Sequence, residues 1–245
     1  PYIEGGWIKA KGTTLGSDDG IGIAAMLAIL TDENVEHGPL ECLFTVDEER
    51  GLTGASGLKT DFLKGRILIN LDSEDEGQIF IGCAGGKDTI AQIKLDFKNI
   101  EDNYIPYLIK ISGLKGGHSG DDIHKGLANA NKIIVRILWE AFRKFDIKIS
   151  YIDGGNLRNA IARESISQIY INSDKEIEFI DWIDKYVDLI KKEYKITEPF
   201  FEVSCYKNDY KGNFLSENSQ YTLLNCIYAC PHGVKAFSRD MPNLV

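Results

Sequence analysis

The sequence predicts an α/β protein in two parts, a layered α/β domain and an inserted α+β domain. Three observations predict it. Short apolar runs that end in acidic residues alternate with helix-like segments up to about residue 82. Beyond that point two long segments with helical periodicity, Gly126 to Phe145 and Asp174 to Tyr194, are each bracketed by strand-like runs. Between the two regions stands Gly82-Cys83-Ala84-Gly85-Gly86, which has the texture of a flexible joint.

In order, Tyr2 to Ala10 reads as strand and Lys11 to Gly20 as a glycine-punctuated loop. Ile21 to Leu30 is apolar nearly all round and rich in small residues, which suits a helix buried against a sheet. Leu40 to Val46 reads as the central strand, Leu52 to Lys59 as a short helix, and Arg66 to Leu71 and Gln78 to Gly82 as further strands. After the joint, Asp88 to Phe97 and Tyr107 to Ser112 read as strands before the first long helix. Lys148 to Ile152 and Ser165 to Ile171 are strands before the second, and Phe200 to Tyr206 is a final strand. Ser216 to Ala229 offers one more helix. The order β-β-α-β-β-α-β fits helices laid on one sheet face.

The chain has 245 residues, room for one large domain or two ordinary ones. Its net charge of −9 argues against nucleic acid as a partner, because phosphate binding needs a basic surface. The five cysteines are scattered, and Cys42 and Cys83 sit in apolar runs that suit buried thiols. No Asn-x-Ser/Thr sequon, signal-peptide pattern or membrane span is visible, so a cytoplasmic setting without membrane attachment is expected. Pro1 opens the chain inside a strand-like pattern and Val245 closes it on an apolar residue, so an internal fragment of a longer protein is expected.

Three acidic clusters carry the chemistry. Asp47-Glu48-Glu49 closes the central strand, Asp18-Asp19 precedes the small-residue helix, and Asp72 closes the next strand. Carboxylates gathered at strand ends repel one another unless a cation sits among them, and that sheet edge is where open α/β folds bind ligands. Helix capping is the competing role for one of Asp18 and Asp19. One carboxylate left off the metal would act as general base.

Leu15 to Gly22, Asp47 to Ala55 and Asn70 to Glu74 resemble motifs of the co-catalytic zinc peptidases of the aminoacylase/carboxypeptidase/dipeptidase family. Gly113-Leu114-Lys115-Gly116-Gly117-His118-Ser119-Gly120, Ile123 to Gly126 and Asn129 to Lys132, with Gly82 to Gly86, look most like the aminoacyl-histidine (Xaa-His) dipeptidases. The resemblance implies a partial catalytic domain over 1–86, a lid and dimerisation domain over 87–230, and a return to the catalytic domain over 231–245. It implies two Zn²⁺ per active site, with Co²⁺ or Mn²⁺ as alternatives. Asp18 would bridge the metals, Glu49 and Asp72 would each hold one, and Glu48 would be the base. His118 would reach the substrate or its oxyanion from the partner subunit of a homodimer, and Asn159 would contact the substrate. Asp19 is left as a cap or a supporting group.

Two departures bear on function. The family's His-x-Asp motif ahead of Asp18 is absent, and so is its last metal histidine; His37, His118, His124 and His232 all stand in other settings. Zinc held by carboxylates without imidazole is an incomplete site, so weak metal binding is expected of this chain alone. Gly117-His118-Ser119-Gly120-Asp121 misses the nucleophile-elbow pattern at its last position, which removes a serine hydrolase. The expected function is metal-dependent hydrolysis of a dipeptide, Xaa-His in particular, by water activated at two zinc ions. A tripeptidase or aminoacylase of the same family, and an inactive dimerisation or binding module, are the alternatives.

Overall fold

The computed structural model describes residues 1–48, 51–73, 77–82, 85–100 and 102–241. It mixes helix and sheet as an α/β protein and divides into two units, Pro1–Lys87 and Asp88–Val245. Glu49, Glu74 and Cys83, which the sequence singles out, lie outside the described residues.

The first unit opens with a hairpin of β1 (Tyr2–Glu4) and β2 (Trp7–Lys9) where one longer strand was expected. Gly5 and Gly6 both take positive φ, 60° and 83°, the backbone that a two-residue hairpin turn demands and glycine supplies at little cost. Helix α1 (Ser17–Thr31) and the short α2 (Thr53–Ser56) follow. In α1 only Gly22 is buried among the described residues, so the expectation of a helix buried all round is corrected.

Leu40 to Val46, Arg66 to Leu71, Gln78 to Gly82 and most of Asp88 to Phe97 are also corrected: they form no ladder, and only β3 (Phe97–Lys98) is paired. An apolar run becomes a strand when another backbone takes its N–H and C=O groups. Among the described residues these segments have no such neighbour, and Ile67 and Ile81 are 87% and 101% exposed.

The second unit holds the core. A four-stranded antiparallel sheet runs β5 (Lys148–Gly154), β6 (Ser165–Asn172), β4 (Tyr104–Ser112), β7 (Glu202–Lys207) in spatial order. Register alternates Tyr107, Ile109 and Ile111 of β4 with Ile169 and Ile171 of β6 onto one face. Helices α3 (Ala130–Phe145) and α4 (Glu176–Glu193) lie there, packing Ile133, Ile134, Ile137 and Leu138 with Phe179, Ile183 and Ile190 into that core. Asn129 starts α3 by accepting the N–H groups of Asn131 and Lys132. On the opposite face Tyr210 packs against Tyr151 and Tyr170, and Asn208 exchanges hydrogen bonds with Gln168.

A two-residue strand, β8 (Phe214–Leu215), pairs with β3, and α5 (Glu217–Ala229) follows it. Buried Gln220 of α5 takes the part of a strand neighbour for β5. Its Oε1 accepts the N–H of Ile149 at 2.7 Å and its Nε2 donates to the carbonyl of Ile147 at 2.9 Å. Lys132 of α3 donates to the carbonyls of Ile227, Tyr228 and Cys230, closing the C-terminal end of α5. Gln220→Leu strands two buried backbone groups at about 1–3 kcal/mol each. A clear drop in the urea midpoint is expected, and an unchanged midpoint contradicts the role.

Among the described residues no helix is long and apolar enough to cross a membrane.

Candidate functional site

The first unit brings Asp18, Asp19, Glu48 and Asp72 to one locality. Asp18 and Asp19 stand at the entrance of α1, where both leave helical backbone (φ −100° and −106°) and are joined by a cis peptide bond. Asp19 is the cap: its Oδ1 accepts the N–H of Gly22 at 2.9 Å. A Cβ on Gly22 would meet the Asp19 carboxylate at 2.3 Å, so the glycine lets this carboxylate turn in over the helix.

Glu48 lies in a tight turn in which its carbonyl accepts the N–H groups of Gly51 and Leu52, both at 3.0 Å. The turn is tied back by Gly54, whose N–H donates to the Val46 carbonyl at 3.1 Å. A Cβ at Gly54 would come within 2.6 Å of the Val46 nitrogen, so this return fits glycine alone. Asp72 follows the apolar Arg66–Leu71 run.

Asp72's carboxyl is held above the ordinary carboxylate range. Partial shielding from water is the first cause, then a hydrogen bond with Asp18 and the negative charges of Asp18, Asp19 and Glu48. Carboxylates that raise one another's affinity for a proton fit, in the chemistry of their donors, a site that takes a hard divalent cation. Asp18 and Asp72 would hold it. No imidazole joins them; His37, in the same unit, turns its Nδ1 toward the Gly38 carbonyl at 2.7 Å. Among the described residues no three His, Cys, Asp or Glu side chains are arranged to enclose a cation, and Glu49 stands outside those residues.

The second unit brings the other two candidates together. His118 and Ala160 form an isolated antiparallel bridge, which sets Asn159 beside the histidine loop. The N–H of Ser119 donates to the Asn159 carbonyl, and that of Ile161 to the Gly117 carbonyl, both at 2.8 Å. Both side chains belong to exposed residues. His118 Nδ1 accepts the N–H groups of Gly120 and Asp121, each at 3.1 Å, which leaves Nε2 as the nitrogen that carries the proton.

Sequence reasoning missed Asp122 and Glu198. Asp122 Oδ2 accepts the backbone N–H of His118 at 2.7 Å while Oδ1 pairs with Lys125, and these contacts hold its carboxyl below the usual range. Glu198, 3% exposed, accepts the N–H of Lys115 at 2.8 Å and of Ala128 at 2.9 Å. No letter pattern announces either contact, because the donors are main-chain groups.

Residues 109–198 match the family model described as peptidase dimerisation domain. Cytosol non-specific dipeptidase from Escherichia coli (strain K12) is 43% identical over 236 residues, 96% of this chain and 48% of that protein. An uncharacterized Bacillus subtilis (strain 168) protein, YqjE, is 42% identical over 88 residues, 34% of this chain and 24% of that one. Among solved structures, aminoacylhistidine dipeptidase from Vibrio alginolyticus aligns with a TM-score of 0.75 at 38% identity, covering all of this chain and 50% of that one. The chain spans about half the length of the two dipeptidases that it matches.

Proposed function

We propose that the protein carrying this chain hydrolyses dipeptides, as the two dipeptidases that it resembles are named for doing, with Xaa-His among its substrates. The observation that supports this reading is that Asp18, Asp19 and Glu48, scattered along the first unit, lie near enough to Asp72 for their charges to raise its affinity for a proton. Homology along 96% of the chain to a dipeptidase supports it from outside the geometry.

In this reading Asp18, Glu49 and Asp72 would hold two divalent cations, zinc or else cobalt or manganese, with imidazole completing a zinc site. Such ions supply polarisation of the scissile carbonyl and acidification of the attacking water. Glu48 takes the proton of that water as its oxygen adds to the carbonyl carbon. It then returns the proton to the amine as the C–N bond breaks, so the products leave as a free acid and a free amine. His118, reaching over from the second subunit of a homodimer, donates to the substrate or its developing oxyanion, and Asn159 contacts the substrate. The dimerisation domain pairs two subunits, and the protein works in the cytoplasm.

The experiment is a dipeptide panel run on the full-length protein before and after treatment with a chelator. Cleavage of dipeptides, Xaa-His members included, that disappears with the metal and returns with added zinc is the expected result. Cleavage of tripeptides or N-acyl amino acids in preference to dipeptides favours the other enzymes of the family. No hydrolysis of any class contradicts the proposal.

A further inference from the structure

The loop that carries His118 connects β4 to α3, and the structure holds it at three points. At its first foot Lys115 donates its N–H to Glu198 Oε2, and at its second Ala128 donates to Glu198 Oε1. A single buried carboxylate from the segment between α4 and β7 therefore clamps both ends. The same segment backs the first foot closely: at Gly113, φ 75°, a Cβ would lie 1.9 Å from the Phe200 carbonyl oxygen. Toward the tip, Asp122 takes the N–H of His118 itself and is pinned in turn by Lys125. A Cβ at Gly117 would meet the Asp122 Oδ2 at 2.7 Å, so this contact needs the glycine that precedes the histidine.

The consequence reaches the ring. With its backbone fixed by Asp122, His118 turns Nδ1 back onto the N–H groups of Gly120 and Asp121. Two donors aimed at one nitrogen make Nδ1 an acceptor and put the proton of the neutral ring on Nε2, against the pull of the Asp121 carboxylate 3.6 Å from Nδ1. A donor has to be oriented before charge develops if it is to stabilise that charge without reorganising. Glu198 offers one oxygen to each foot, Oε2 to Lys115 and Oε1 to Ala128.

We propose that Glu198 and Asp122 are positioning residues that hold His118 as a preset Nε2–H donor. This rests on the reading of His118 as the oxyanion donor. Glu198→Gln places an NH₂ against one of the two donating N–H groups, and Asp122→Asn, at the half-buried tip, loses the Lys125 pair without disturbing the core.

The test uses full-length protein. In both variants, amides of residues 116–125 are expected to exchange faster than in wild type, while those of α3 and β6 keep their protection. The His118 ring nitrogens, by ¹⁵N NMR, are expected to move from one pyridine-like Nδ1 and one pyrrole-like Nε2 toward averaged values. Against a dipeptide, kcat is expected to fall about 10- to 100-fold with KM changed far less, as misplacement of a donor costs about 10² and its removal about 10²–10³.

Wild-type loop exchange and wild-type ring shifts in Asp122→Asn overturn the proposal, and so does loss of protection throughout the second unit in that variant. Should Glu198→Gln fail to fold, Asp122→Asn decides. His118→Ala separates the two levels. If it leaves turnover intact, the oxyanion reading fails, while exchange and ring shifts still judge the positioning role.

Discussion

Replacing Glu48 by glutamine is expected to lower dipeptide turnover by about 10²–10⁴-fold while leaving the metal content of the full-length protein unchanged, the size of effect that follows loss of a general base. Glutamine keeps the volume and one acceptor oxygen of glutamate but cannot take a proton. The local fold should tolerate it, because the turn is held by Glu48's carbonyl and by Gly54 rather than by the side chain. Turnover is read from initial rates and metal from elemental analysis of the same sample. Full turnover in Glu48→Gln would assign the proton transfer elsewhere.

The second large effect belongs to Asp18. Asp18→Ala is expected to reduce bound metal from about two ions per active site to fewer than about one, and activity to background, since a ligand shared by two cations anchors both. Capping is the competing role, and the structure separates the two. Asp19, not Asp18, accepts the N–H of Gly22, whereas Asp18 is among the carboxylates that raise the affinity of Asp72 for a proton. If Asp18 were a cap, its loss would cost about 0.5–2 kcal/mol of stability and spare the metal. A variant that keeps two ions and only melts earlier would move Asp18 out of the site.

The second unit was the more legible in the sequence, for a physical reason. Helix α3 repeats Ile133, Ile134, Ile137, Leu138 and Ala141 along one face, and Tyr107, Ile109 and Ile111 alternate along β4. Both periods report a core that these residues form with one another. In the first unit the apolar runs Leu40–Val46 and Arg66–Leu71 report only that burial is favourable, not which backbone provides it, and the ladder expected there is absent among the described residues. The hairpin at Tyr2–Lys9 was announced by Gly5-Gly6, a turn signal that one long strand overrode. β8 is two residues long, too short for any period to show.

For the site, carboxylates at the ends of apolar runs were visible because charge in such a place demands a reason. Which of them lie near one another is not carried by sequence order; in the fold the charges of Asp18, Asp19 and Glu48 act on Asp72. Glu198 and Asp122 were not visible at all. Their partners are the N–H groups of Lys115, Ala128 and His118, and a main-chain donor looks the same at every position of a sequence.

The central claim, that these acids surround a pair of cations, is tested most directly by anomalous diffraction at the zinc absorption edge from crystals of the full-length protein grown with zinc. Two adjacent peaks are predicted, with Asp18 between them, Glu49 and Asp72 on either side and Glu48 off both. Zinc bound elsewhere, with Asp18 and Asp72 turned to solvent, would contradict the account.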